Sequence, residues 1–212
     1  MDNKEFLMTN KDYSFISERV YEACGIVLSE QKKDMVYARI SRRLRKLGLS
    51  SFSEYISYLN NNESVEFGEF INAITTNLTS FFREKHHFDF LKKTAVPEIL
   101  SRHKTDHRVR IWSAGCSLGM EPYSIAISLD KLIPSNWDFK ILATDLDTNV
   151  IESGRAAIYE GGQISGLSDT QLKKYFLKDG SAIRYKVKPY LKQNISFKHL
   201  NLLKEWPMKG PF

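Results

Sequence analysis

The stretch Trp112-Ser113-Ala114-Gly115-Cys116-Ser117-Leu118-Gly119-Met120-Glu121-Pro122 carries two glycines between a β-rich run and a proline. Val109 to Ser113 has the β-branched and aromatic character of a strand. Pro122 suits the first turn of a helix, and the apolar pattern continues to Ile133. Downstream, Phe139 to Thr144 is a second β-rich run, and Thr148 to Ala156 a second helical one. That order, strand–helix–strand–helix, predicts an α/β domain whose parallel strands are joined by right-handed crossovers.

Glycines at the carboxyl end of a parallel strand let the backbone approach a ligand closely, where open α/β sheets bind. The spacing here is G-x-x-x-G, from Gly115 to Gly119, and no G-K-[ST] follows. A dinucleotide fingerprint or a P-loop would need a different arrangement. Asp145 ends the second strand, where a carboxylate can accept hydrogen bonds from both hydroxyls of a ribose. Glu121 adds a second carboxylate near Gly115. Such a pocket suits a ligand with a ribose and positive charge. S-adenosylmethionine has both, in its sulfonium and its α-amino group. Turn glycines, an ordinary acid in a first helical turn and a solvated strand-end Asp account for the same residues, and the pattern alone does not choose.

N-terminal to this stretch the apolar period is helical. Val36, Ile40, Leu44 and Leu47 form one stripe, and Gly48 is a C-terminal stop. Phe52, Tyr55, Ile56 and Leu59 form a second stripe; Phe67, Phe70, Ile71 and Ile74 form a third. A further helix is expected to start near Phe81, with Phe81, Phe88, Leu91 and Ala95 on one face, and Pro97 permits a break. Residues 1–95 are therefore expected to be an all-helical domain and residues 96–212 an α/β domain. Asp169 to Phe176 reads as a short helix. Ala182–Val187 and Ile195–His199 read as strands of a small antiparallel β-subdomain at about 180–200.

The chain has 212 residues, 42% hydrophobic and 26% charged, which excludes disordered, collagen-like and disulfide-scaffold classes. No apolar run approaches the roughly 18 residues of a membrane span. The N-terminus lacks the basic and apolar regions of a signal peptide. Cys24 and Cys116 stand in different contexts, which fits a reducing cytoplasm and offers no metal cluster. His86 and His87 have no carboxylate or Cys partner at metal spacing and read as packed helix residues near the domain junction. The net charge of +6 is concentrated. Seven basic residues and one acid lie between Gln31 and Gly48, and nine basic residues and one acid between Lys173 and Lys204. Nucleic acid, anionic lipid and acidic protein surfaces all fit that total.

Three stretches are more specific than the pattern. Thr75-Thr76-Asn77-Leu78-Thr79-Ser80-Phe81-Phe82-Arg83-Glu84, the run from Trp112 to Ala126, and Ala143-Thr144-Asp145-Leu146-Asp147 resemble the chemotaxis receptor methyltransferase (CheR) family, as does Asn201-Leu202-Leu203. The resemblance implies an N-terminal helical domain and a Rossmann-like methyltransferase domain with an inserted β-subdomain. It implies transfer of a methyl group from S-adenosylmethionine, leaving S-adenosylhomocysteine, to glutamates on the cytoplasmic helices of chemoreceptors, without a metal. Cofactor contacts are then expected at Asn77, Thr79, Arg83, Gly115, Glu121, Asp145, Asn201 and Leu202. Without the resemblance, Thr79 or Ser80 would read as the N-cap of the Phe81 helix, Asn77 as a turn residue and Arg83 as a surface ion-pair partner.

Arg83 is also the expected catalytic residue, because its planar fork can hold both oxygens of the incoming carboxylate. Arg39, Arg42, Arg43 and Lys46 are expected to meet acidic receptor helices. A monomer is expected, in the cytoplasm, without nucleic acid and without membrane insertion. Some family members dock a receptor's C-terminal peptide through a longer, glycine-bearing loop; Lys178 to Ile183 looks short for that, so a peptide-independent member is expected. In the family, a further core strand and a C-R-N-V-x-x-Y-F motif follow the point reached at Phe212, so part of the sheet is expected to be missing. The competing expectations are a nucleic-acid methyltransferase and a truncated, non-catalytic binding module.

Overall fold

The structure is a computed structural model that describes residues 4–180, 183–210 and 212. The chain divides into two compact units. One runs to Thr76 and takes in Asn201–Glu205; the other holds Asn77–Leu200 and Trp206–Phe212.

The first unit is helical: α1 (Asn10–Cys24), α2 (Lys33–Leu47), α3 (Phe52–Asn61) and α4 (Glu63–Ile74). Local signals set the helix ends. Thr9 and Asp12 form a reciprocal capping box at the start of α1, and the Ser51 hydroxyl accepts the Glu54 N–H at the start of α3. Gly48 ends α2 in the left-handed conformation. Val36, Ile40 and Leu44 are fully buried as the stripe predicts, and Ser41 joins them where Leu47 is half-buried.

The second unit contains α5 (Lys85–Phe90), which continues through a π-helical turn (Leu91–Ala95) into α6 (Val96–Arg102). Then follow β1 (Arg108–Ala114), α7 (Met120–Leu129), β2 (Asp138–Asp145), α8 (Thr148–Ala156) and β3 (Ile158–Glu160). The unit ends with α9 (Asp169–Tyr175), β4 (Phe176–Lys178), β5 (Arg184–Val187), α10 (Pro189–Lys192) and β6 (Ile195–His199). One sheet has the order β1-β2-β6 and is parallel throughout; the other has the order β3-β5-β4 and is antiparallel. The fold class is the expected one.

Three local expectations change. Ile195–His199 pairs in parallel with β2 and belongs to the main sheet, not the small one. Its alternation suits either sheet, since strand pattern reports a face and not a partner. The small sheet instead uses Ile158–Glu160 and Phe176–Lys178 beside β5, both too short to stand out by period; Ala182 of the expected strand lies outside the described residues. The helix expected from Phe81 begins at Lys85, because Phe82 and Glu84 have φ of 54° and 55°, which a right-handed helix excludes. Finally, the units part after Thr76 and not at 95, since Phe81 and Phe88 are buried in the core of the second unit.

Candidate functional site

At the end of β1 the chain turns sharply through Gly115, Ser117 and Gly119, with φ of 81°, 48° and 85°. The turn stays on the sheet because the backbone N–H groups of Gly115 and Cys116 both donate to the Thr144 carbonyl at 2.8 Å. Gly119 is constrained twice. Besides its positive φ, a Cβ there would lie 2.9 Å from the Gly154 Cα and 3.1 Å from the Phe197 ring. Only glycine lets the start of α7 approach α8 so closely.

Carboxylates fix the loop from the neighbouring strand. Asp145 accepts the Ser117 N–H at 2.7 Å on one oxygen and the Asp147 N–H at 3.0 Å on the other. Asp147, itself buried, caps α8 by accepting the Asn149 N–H at 2.8 Å, and its second oxygen accepts the Asn77 side-chain amide at 2.7 Å. The Ser117 hydroxyl donates to the Asn77 carbonyl at 3.1 Å. On the β1 side, the buried Ser113 hydroxyl donates to Glu121 at 2.7 Å and orients that carboxylate. Burial, helped by the Asp145 carboxylate, pushes the Cys116 thiol up to about 12, so it is not a thiolate at neutral pH.

Beside this loop opens a cavity of about 280 Å³, lined by Leu78, Thr79, Ser80, Arg83, Glu84, His87, Phe88, Gly115, Ser117 and Glu121. Arg83 is held by an Nη1 bond to the Leu78 carbonyl at 3.0 Å. The cavity therefore presents one guanidinium and two carboxylates against a glycine loop. Such a set can bind a zwitterionic or cationic ligand and hold a carboxylate beside it.

Of the expected site residues, Thr79, Arg83, Gly115 and Glu121 line this cavity. Asn77 and Asp145 stand one bond away, each hydrogen-bonded to Ser117. Asn201 and Leu202 belong to the first unit, where the Asn201 amide donates to the Ala23 carbonyl at 2.7 Å and Leu202 is half-exposed. No helix starts at Phe81, so Thr79 and Ser80 cap none there, and the α5 N-terminus at Glu84 has no side-chain cap. The His86 ring lies 4.1 Å from that of His87, tilted by 59°, and is largely exposed, while His87 lines the cavity. Sequence reasoning missed Ser113, Ser117 and Asp147. Asp147 followed by Thr148-Asn149 carried an N-cap signal, whereas the serines had none.

The four cations of α2 expected to meet receptor helices split into two kinds. Arg39 donates to the Ile74 and Thr75 carbonyls and, at 3.0 Å, to the Thr76 hydroxyl. Arg43 grips the buried Glu66, with Nε to Oε1 at 2.7 Å, and reaches Glu69 at 2.9 Å; the Tyr55 hydroxyl donates to Glu66 at 2.9 Å. Arg39 and Arg43 are thus engaged within the helical unit. Arg42 is exposed, and Lys46 stays 71% exposed beside Glu69.

Residues 77–212 match the family model described as CheR methyltransferase, SAM binding domain, and residues 11–75 the one described as CheR methyltransferase, all-alpha domain. The chemotaxis protein methyltransferase of Salmonella typhimurium is 41% identical over 212 residues, covering 97% of this chain and 70% of that protein. Chemotaxis protein methyltransferase 2 of Pseudomonas aeruginosa is 42% identical, covering 98% and 74%. A probable chemotaxis protein methyltransferase of Rhizobium etli is 39% identical, covering 91% and 74%.

Proposed function

Because the chain belongs to the CheR methyltransferase family, we propose that it methylates glutamate side chains on the cytoplasmic helices of chemotaxis receptors, using S-adenosylmethionine. The observation that carries this reading is the convergence of the glycine loop, Glu121 and Arg83 on one cavity. The donor set fits the cofactor. Gly115 leaves backbone exposed at the cavity wall, and Glu121 offers a negative charge held in place by Ser113. Asp145 has each oxygen fixed by one backbone N–H and keeps lone pairs for ribose hydroxyls. Asn77 and Thr79, with Asn201 and Leu202 on the family resemblance, complete the proposed cofactor contacts.

Bound S-adenosylmethionine supplies an electrophilic methyl group on a positively charged sulfur. The acceptor glutamate, with an ordinary pKa of about 4.3, is already ionised at neutral pH, so the protein need not provide a general base. Its task is alignment, which requires reacting atoms about 3–3.5 Å apart. Arg83 is proposed to hold the acceptor carboxylate through the N–H groups left over from its bond to Leu78. Arg42 and Lys46, two exposed cations of α2, are proposed to steer acidic receptor helices, acting mainly on encounter rate. The chain is proposed to act in the cytoplasm as a monomer; no described helix is long and apolar enough to cross a membrane.

The test is incubation with methyl-tritiated cofactor, receptor cytoplasmic fragments, and RNA or DNA as competing acceptors. Label on the receptor fragments is expected. Label on nucleic acid alone would overturn the proposal.

A further inference from the structure

Arg83 is flanked by two residues in a left-handed backbone conformation that side-chain-bearing residues rarely adopt. Phe82 and Glu84, on either side, both have positive φ. Residues with side chains hold such angles where the surroundings over-determine them. Three contacts do this here. The Phe81 ring is buried edge-on to Tyr159 at 4.9 Å and to Phe176 at 5.6 Å. The Phe81 carbonyl approaches Gly166 so closely that a Cβ there would lie 2.2 Å from its oxygen. The third contact is polar: the Phe82 N–H donates to the Ser124 hydroxyl at 3.0 Å, and that hydroxyl donates to the Met120 carbonyl at 2.7 Å.

Ser124 lies on α7 and is fully buried, so water does not compete for its lone pairs. Its donation to the carbonyl four residues earlier fixes the direction of its proton and leaves acceptor capacity facing the 81–84 turn. The Phe82 N–H belongs to no helix, since α5 starts at Lys85, and without Ser124 it would lack this acceptor. The hydroxyl thus ties the helix that follows the glycine loop to the turn that carries Arg83.

We propose that Ser124 is a positioning residue for Arg83. Its hydroxyl holds the left-handed turn that aims the guanidinium into the cavity. The catalytic consequence rests on the reading of Arg83 as the group that orients the acceptor carboxylate. Misplacement of an orienting group by about 1 Å can slow a reaction by roughly 100-fold, so a measurable loss of turnover is expected on removing the hydroxyl. Ala is the better helix former, so Ser124→Ala should leave α7 intact.

The experiment uses the full chain as wild type, Ser124→Ala, Arg83→Ala and the double variant. Amide hydrogen exchange at Phe82 and the Nε–H signal of Arg83 are followed by NMR. Methyl transfer to receptor fragments and S-adenosylhomocysteine affinity are measured alongside. In Ser124→Ala, faster exchange at Phe82, an altered Arg83 signal, and a lower kcat at unchanged S-adenosylhomocysteine affinity are expected. In the Arg83→Ala background, Ser124→Ala should cost nothing further. Unchanged Phe82 exchange and Arg83 signal, or losses that multiply in the double variant, would overturn the proposal. If wild type transfers no methyl group while both NMR signals respond to Ser124→Ala, the functional reading fails and the positioning inference stands.

Discussion

Arg83 and Glu121 face one cavity but are asked to do different things. Glu121 is fixed by Ser113 and is proposed to offer charge to a cationic ligand, whereas Arg83 has, among the described residues, donors without protein partners beyond its bond to Leu78. Arg83→Ala is therefore expected to lose methyl transfer far more than cofactor affinity. A calorimetric titration alongside the transfer assay checks this, and equal losses would reduce Arg83 to a cofactor contact. The two cysteines give a second prediction at this scale. The Cys116 thiol is raised to about 12 by burial and then by Asp145, so its thiolate is scarce below that pH. Cys24 is raised as well, mainly by burial, but is only half-buried. Iodoacetamide at about pH 8 should label Cys24 in the native protein before Cys116, because the thiolate is the reactive form and access decides the rest. Labelling of Cys116 first would contradict this environment. Asp145 and Glu121 were legible in the sequence because strand ends and helix first turns are placed by period. Ser113 and Ser117 were not, since a serine's partner depends on which strand lies beside it.

At the scale of elements, α2 shows what an amphipathic pattern reveals and what it hides. The buried stripe of Val36, Ile40 and Leu44 followed directly from the spacing. The cations outside it look alike in sequence, yet Arg43 is locked to Glu66 while Arg42 is exposed, because α4 faces only one flank of α2. Removing one partner of a buried pair leaves the other charge uncompensated. Arg43→Ala should therefore lower stability by about 3–5 kcal/mol in urea denaturation. Arg42→Glu should leave the unfolding midpoint unchanged and slow receptor methylation, most visibly at low salt, where surface charges are least screened. An unchanged methylation rate at low salt would remove α2 from the receptor interface. The strands Ile158–Glu160 and Phe176–Lys178 escaped detection for a related reason. Three residues give no measurable alternation, and their pairing with β5 is a tertiary fact.

At the scale of the whole molecule, the net charge of +6 resolves into structural and exposed parts. In the basic segment from Lys173 to Lys204, Lys174 is bound to Asp130 at 2.6 Å and Arg184 reaches Asp179 at 3.6 Å, so several of its cations are already engaged. The parallel order of β1 and β2 and the helical first unit were legible from the change of period near His107. The division after Thr76 was not, because Phe81 and Phe88 have the spacing of a helix but are buried among residues of the second unit. Ligand linkage offers a check on the molecule as a unit. S-adenosylhomocysteine at about 100 times its Kd should stabilise the native state by about 2.7 kcal/mol, raising Tm. Glu121→Gln should need more ligand for the same rise, and an identical dependence would separate Glu121 from the cofactor. The most direct measurement is the chemical form of methyl label transferred to receptor cytoplasmic fragments. A carboxylate acceptor gives an ester, so the label should be released as methanol in alkali and should disappear when the acceptor glutamates are replaced by Ala. Alkali-stable label, or none on any receptor fragment while S-adenosylhomocysteine still binds, would contradict glutamate methylation by this chain.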